Sequence, residues 1–128
     1  MDIEHVALQV ADPRAMAAWY VAHLGLRVAF EGGPPAHGRF LADGSGHVML
    51  EIYHNPAAPV PEYRSMDTVL VHVAFESEDV RRDRERLLAA GATPAGEVGP
   101  TPDGGEVATL RDPWGLAIQF VRRGMPFI

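Results

Sequence analysis

The chain of 128 residues contains no cysteine and no lysine; all 11 of its basic residues are arginine. Without a thiol there is no thiolate nucleophile, disulfide frame, Cys-ligated zinc or thiolate-held iron–sulfur cluster. Without lysine there is no Schiff base and no P-loop. Chemistry is left to His, Asp, Glu, Tyr and Ser. Long apolar runs are also missing. The longest, Ala15 to Ala22, is eight residues, against the ~18 a membrane span needs. The opening Met1-Asp2-Ile3-Glu4 lacks the cationic start of a signal peptide, so the expected location is the cytoplasm, with no membrane partner. Positive charge is scarce: 17 acidic residues leave a net charge of −6. Four arginines crowd into Arg81–Arg86 but alternate with Asp83 and Glu85, which reads as a solvated helix face and not as a nucleic-acid footprint. A chain of this size hides roughly two-thirds of its unfolded surface, enough for one packed core. One domain over 1–128 is expected, and any internal duplication must share its core.

Such a duplication is present. Ile3-Glu4-His5-Val6-Ala7-Leu8-Gln9-Val10-Ala11-Asp12 aligns with Leu70-Val71-His72-Val73-Ala74-Phe75-Glu76-Ser77-Glu78-Asp79 at an offset of 67 residues, about half the chain, and a repeat at that period constrains the whole fold. Each copy opens with a strand whose alternate residues Val6, Leu8 and Val10, or Val71, Val73 and Phe75, make one apolar face. The histidines point to the other face. Asp12 reads as an N-cap with Pro13 in the first helical position, a stripe of Met16, Tyr20 and Leu24 follows, and Gly25 ends the helix. In the second copy Ser77 or Asp79 caps, Val80, Leu87 and Leu88 face inward, and Gly91 stops the helix. Three short extended stretches follow each helix: Leu26–Glu31, Arg39–Ala42 and His47–Tyr53, then roughly Thr93–Val98, Glu106–Leu110 and Leu116–Arg122. Asp43-Gly44-Ser45-Gly46 and Asp112-Pro113-Trp114-Gly115 supply matching hairpin turns. The predicted class is therefore α+β, two tandem β-α-β-β-β units related by a pseudo-twofold. Unit 1 is about 1–54, unit 2 about 68–128, and the linker is about 55–67, three of whose prolines fall between Asn55 and Pro61 and are expected to hold it extended.

The last strand of each unit repeats the pattern of the first. Val48, Leu50 and Ile52, and Leu116, Ile118 and Phe120, face the helix; Glu51 and Gln119 point away. His5, Glu51, His72 and Gln119 are thus expected on the uncovered face at duplicated positions, beside Ala7, Met49, Ala74 and Ala117. Two imidazoles, a carboxylate and an amide oxygen form a mixed N/O set suited to one divalent first-row metal with positions open for water or substrate. The other histidines read differently: His23 sits near helix-terminal carbonyls, His37 lies in a Gly/Pro loop, His47 begins a strand and His54 starts the linker, at the rim of the site. Tyr53 and Trp114 either border a ligand cavity or pack.

These units, the opening Ile3-to-Pro13 segment, Trp19-Tyr20 followed by Leu24-Gly25-Leu26, and Asp112-Pro113-Trp114-Gly115-Leu116-Ala117-Ile118-Gln119 together resemble the vicinal oxygen chelate superfamily, over nearly the whole chain. That group includes glyoxalase I, bleomycin-resistance proteins, fosfomycin-resistance transferases, methylmalonyl-CoA epimerase and extradiol dioxygenases. The resemblance implies glyoxalase-like half-barrels with a metal held by one residue from the first and last strand of each unit, here His5, Glu51, His72 and Gln119. The metal would be Ni or Zn first, with Mn, Co or Fe as further candidates. Gln119 departs from bacterial glyoxalase I, where a Glu at that position is tied to proton transfer; an amide does not titrate. It also counts against dioxygenase and fosfomycin-transferase activity, which want that carboxylate in the second unit. The shared chemistry is binding of adjacent substrate oxygens by the metal, stabilisation of an enediolate, and removal of a carbon-bound proton by a nearby carboxylate. Glu51, the one carboxylate of the four, is then both labile ligand and general base.

The expected function is a metal-dependent lyase or isomerase of the glyoxalase I type acting on a small-molecule substrate. The alternative is a metal-free binding protein of the bleomycin-resistance type. A homodimer is expected, because half-barrels must pair to close a cavity, within one chain or by exchange between chains.

Overall fold

The computed structural model describes residues 1–47 and 49–128; Val48, assigned above to the helix-facing side of its strand, lies outside the described residues. Two compact units are present, Met1–Pro61 and Glu62–Ile128.

In the first unit, β1 (His5–Gln9) leads into α1 (Pro13–Leu24), followed by β2 (Arg27–Glu31), β3 (Arg39–Ala42) and β4 (Met49–Tyr53). Local chemistry sets the helix limits. The Asp12 carboxylate accepts from the Ala15 N–H at 3.0 Å, Pro13 occupies the first turn, and Gly25 closes the helix in the left-handed conformation at φ 71°, where a glycine has no Cβ to clash. The sheet order is β1-β4-β3-β2, with β1 parallel to β4 and the other pairs antiparallel. Met16 and Tyr20 of α1 are buried with Leu8, Val10, Leu41 and Ile52. Alternation along the strands therefore commits one sheet face to the helix and leaves the other open.

The second unit repeats this plan with β5 (His72–Glu76), α2 (Val80–Ala89), β6 (Thr93–Pro94), β7 (Gly99–Pro100), β8 (Glu106–Arg111) and β9 (Ala117–Arg122). Its path is β5-β9-β8-β6, with β7 also on β8 and β5 parallel to β9. Asp79 caps α2 by accepting from the Arg82 N–H at 3.0 Å. Ser77 braces that cap, accepting from the Asp79 N–H and donating to Asp83. Val80 and Leu87 are buried against a sheet face carrying Ala108, Leu110, Ile118 and Phe120. Ile52 and Ile118, one in each sheet, are both completely buried, and truncating either to Ala costs about 2–5 kcal/mol.

Three expectations need correction. The stretch Thr93–Val98 is not one strand. Pro94 pairs with Leu110 and Gly99 with Val107, so four residues stand against two, and Gly96 turns the chain at φ 118°; a proline without an N–H and a glycine in the left-handed region break the ladder. The last strand of unit 1, expected over His47–Tyr53, is Met49–Tyr53 and leaves His47 in the turn, where its N–H donates to the Ser45 hydroxyl. The linker is not held extended either. Turns close at Asn55–Ala58, Glu62–Met66 and Asp67–Leu70, anchored by contacts described next.

Candidate metal centre

Register places the predicted residues. In unit 1, His5 pairs with Met49 and Ala7 with Glu51, so His5, Ala7, Met49 and Glu51 share the face away from α1, and His5 and Glu51 are diagonal neighbours. The His5 Nε2 lies 3.4 Å from the Glu51 Oε2. The other nitrogen, Nδ1, bonds the carboxylate of Glu4. This hydrogen bond, with the charge of Glu4 and then that of Glu51 adding to it, raises the His5 pKa above its ordinary value against a smaller opposing effect of desolvation.

In unit 2, His72 pairs with Ala117 and Ala74 with Gln119, which reproduces the same diagonal on the same kind of parallel pair. The His72 Nδ1 lies 2.9 Å from the Thr68 carbonyl oxygen. A carbonyl accepts only, so Nδ1 carries the proton and Nε2 the lone pair of the neutral ring. Both imidazoles thus have Nδ1 engaged by an oxygen acceptor, the arrangement that orients a ligating Nε2. Each unit thus offers one imidazole nitrogen and one oxygen, from a carboxylate in unit 1 and an amide in unit 2, donor types that suit a divalent first-row metal. The structure brings His5 and Glu51 together in one unit and sets His72 and Gln119 in matching register in the other. Among the described residues no cluster of three or more His, Asp or Glu side chains is formed.

The support around these positions was partly hidden in the sequence. Gln9, on the same face as His5, clamps the linker, its amide donating to the Asn55 and Ala58 carbonyls while accepting from the Asn55 N–H. In unit 2 the Arg111 guanidinium donates to the carbonyls of Tyr63, Met66 and Gly115 at 2.7–3.0 Å. It lies opposite Ala117 and so ties the segment before His72 to the β8–β9 turn. Asp112 shapes that turn, completely buried, by accepting from the Trp114 and Leu116 N–H groups. Nothing in residue type distinguishes Gln9 or Arg111 from any polar surface residue; their partners in the linker are 45 or more residues away. His54, at the start of the linker, is bound through Nδ1 to the Val10 carbonyl at 3.0 Å. His23 packs its ring on Trp19, and His37 holds a loop position at φ 48°.

The comparisons agree with this architecture. The family model described as Glyoxalase/Bleomycin resistance protein/Dioxygenase superfamily matches residues 2–120. The chain belongs to that superfamily, and its two sheets and two helices are the glyoxalase-like βαβββ fold. No curated protein matches it significantly. Among solved structures, a glyoxalase family protein from Enterococcus faecalis is 26% identical at a TM-score of 0.73, covering 94% of this chain and 97% of that one. TnmS3, an antibiotic binding protein from Streptomyces sp. CB03234, is 21% identical at a TM-score of 0.74, with 96% of each chain covered. A glyoxalase I mutant from Zea mays is 21% identical at a TM-score of 0.76, covering 97% of this chain and 46% of that chain. The last two show likeness of fold alone.

Proposed function

We propose that the protein is a metal-dependent lyase or isomerase of the glyoxalase I type, a cytoplasmic homodimer that removes a proton next to a carbonyl of a small-molecule substrate. One divalent ion, Ni or Zn, would be held by His5, Glu51, His72 and Gln119. The observation that carries this reading is the His5–Glu51 diagonal at 3.4 Å, reproduced in register by His72 and Gln119.

When bound, the ion would polarise adjacent substrate oxygens and stabilise negative charge gathering on them. The chain's own residues do the rest. His5 and His72 keep their rings oriented through Glu4 and the Thr68 carbonyl, so each presents a fixed nitrogen lone pair when neutral. Glu51 takes up the carbon-bound proton at a carboxylate oxygen and returns it. Gln119, which does not titrate, serves as a neutral oxygen donor. Glu51 is on an open face yet half-buried, which permits it to leave and rejoin the donor set as substrate arrives.

The homodimer reading rests on the sheet edges. β1 and β5 are each the outer strand of their sheet, and Ile3 and Leu70, equivalent in the repeat, are 68% and 73% exposed, with Val6 and Val69 exposed beside them. Such apolar residues, Val6 in β1 and the others just ahead of β1 and β5, are liabilities that a second copy would cover.

The test is solvent-proton exchange. The metal-loaded chain in D2O, given hydroxyacetone or the hemithioacetal of methylglyoxal and glutathione, should incorporate deuterium at the carbon bearing the hydroxyl. Glu51→Gln should lose about 100-fold or more of that rate with an unchanged fold. Full exchange in Glu51→Gln would move the base elsewhere, with Glu76 next in line. Ligand binding by a chain that takes up no metal would favour the binding-protein alternative.

A further inference from the structure

The open face of unit 1 carries a second feature that the metal reading does not use. Register across the sheet sets Ala7 opposite Glu51, Glu51 opposite Phe40, and Phe40 opposite Phe30. These four residues make one row running from β1 to β2, and its rings are in contact. His5 meets Phe40 edge-to-face at 5.3 Å between centroids, and Phe40 meets Phe30 edge-to-face at 5.9 Å.

Phe30 reaches this row by an irregularity. Val28 pairs with Leu41 on the helix-facing side, and simple alternation would set Ala29 against Phe40 and send Phe30 back toward the helix. A shift of register between Val28 and Phe30 brings Phe30 to the open face instead. Bulges re-aim side chains in this way, and they concentrate beside active sites. The outcome is a phenyl ring 61% exposed where the regular strand would have directed it toward the core. The equivalent row in unit 2 reads Ala74, Gln119, Thr109, so the duplicated scaffold does not itself require aromatics there.

We infer that Phe30 and Phe40 form an aryl-recognition wall beside the His5–Glu51 pair, and that the substrate is a vicinally oxygenated molecule bearing a flat apolar substituent. The inference rests on the metal reading for where the oxygens sit, but not for the wall. With strands ~4.8 Å apart, the wall begins one strand from Glu51 and ends two strands away, roughly 5–10 Å. That span suits an aryl group attached directly or through a short link to the oxygen-bearing carbons. A ring lying there would meet the faces and edges of both phenyls, the geometry in which aromatic pairs attract.

The experiment compares two hydroxamates that offer the same pair of adjacent oxygens, acetohydroxamate and 2-naphthohydroxamate, by calorimetric titration of the full chain with and without added Zn. The naphthyl compound should bind at least about tenfold more tightly, the gain from burying part of one bicyclic face. Phe30→Ala should reduce that ratio to about twofold or less with acetohydroxamate affinity unchanged, and Phe30→Trp should preserve it. Because Phe30 is mostly exposed, Phe30→Ala tests the wall without removing core. Equal affinity for the two compounds, or a ratio that survives Phe30→Ala, overturns the inference. So does a Phe30→Ala chain whose sedimenting mass changes while the ratio does not, which would make the wall a protein interface. A naphthyl preference indifferent to Zn upholds the wall and counts against the metal reading, whereas Zn-dependent binding of both compounds without preference does the reverse.

Discussion

The Nε2 of His5 faces the Oε2 of Glu51 at 3.4 Å across a parallel strand pair, on the side of the sheet that α1 leaves uncovered. The second sheet places His72 and Gln119 in the same diagonal register, with one change of chemistry: the carboxylate has become an amide. The duplicated scaffold therefore offers two equivalent last-strand positions, of which one titrates and one does not. On the proposed reading, charge and proton transfer would be concentrated on Glu51, and neutral donation would fall to Gln119.

Proton competition should report the Glu4–His5 contact. A metal needs the His5 Nε2 unprotonated, and hydrogen bonding to Glu4 raises the pKa of this imidazole. Metal affinity should therefore begin to fall, as pH is lowered, at a higher pH than an unperturbed histidine would give. Glu4→Gln should move that onset to lower pH. Titrations of metal binding from pH 8 to pH 5.5, with the His5 ring followed by NMR, would check this, and an onset indifferent to Glu4→Gln would contradict it. In the metal-free chain the sign is separate: a raised histidine pKa favours the fold below the ordinary value, and that contribution is lost as pH rises through the raised one.

Gly115→Ala should destabilise the chain through the linker. Gly115 sits at φ 97°, and a Cβ there would stand 2.7 Å from the Cα and N of Arg64, so backbone strain and a backbone clash coincide. A loss of about 2–3 kcal/mol is expected, read as a lower midpoint in urea. Arg111→Met, which removes three donations to backbone carbonyls, should cost about as much. Stability equal to the parent in both variants would show that the Glu62–Met66 segment is not held by these contacts.

Association should depend on the exposed strand edges. Sedimentation at micromolar concentration is expected to give a dimer, and Leu70→Asp, at a surface position that leaves the core untouched, should shift it to monomer. A parent chain that is already monomeric would remove the case for a second copy on β1 and β5.

What was legible in the sequence is what local chemistry decides. Asp12, Pro13 and Gly25 bound α1 because capping and positive φ are properties of those residues. The two-residue alternation of His5, Ala7 and Glu51 against Leu8, Val10 and Ile52 gave the open face before any pairing was known. The repeat extends the same alternation to His72 and Gln119, which the β5–β9 register sets in matching positions. The illegible parts depend on pairing between distant segments. Phe30 faces Phe40 because the β2–β3 register slips by one residue, a choice invisible in the string Arg27–Glu31. The interruption between Pro94 and Gly99 follows from Gly96 and from how β8 pairs. The prolines of the linker pointed to an extended segment, yet N–H donors 45 or more residues away, on the Gln9 amide and the Arg111 guanidinium, bond its carbonyls and fold its ends down.

Metal content is the most direct measure of the central claim. Protein prepared without chelators, or reconstituted with Ni or Zn and dialysed, should hold one divalent ion per chain. His5→Ala and His72→Ala should each lose at least about tenfold in affinity, and the double variant should hold none. Stoichiometric metal retained by the His5→Ala, His72→Ala double variant would contradict the account.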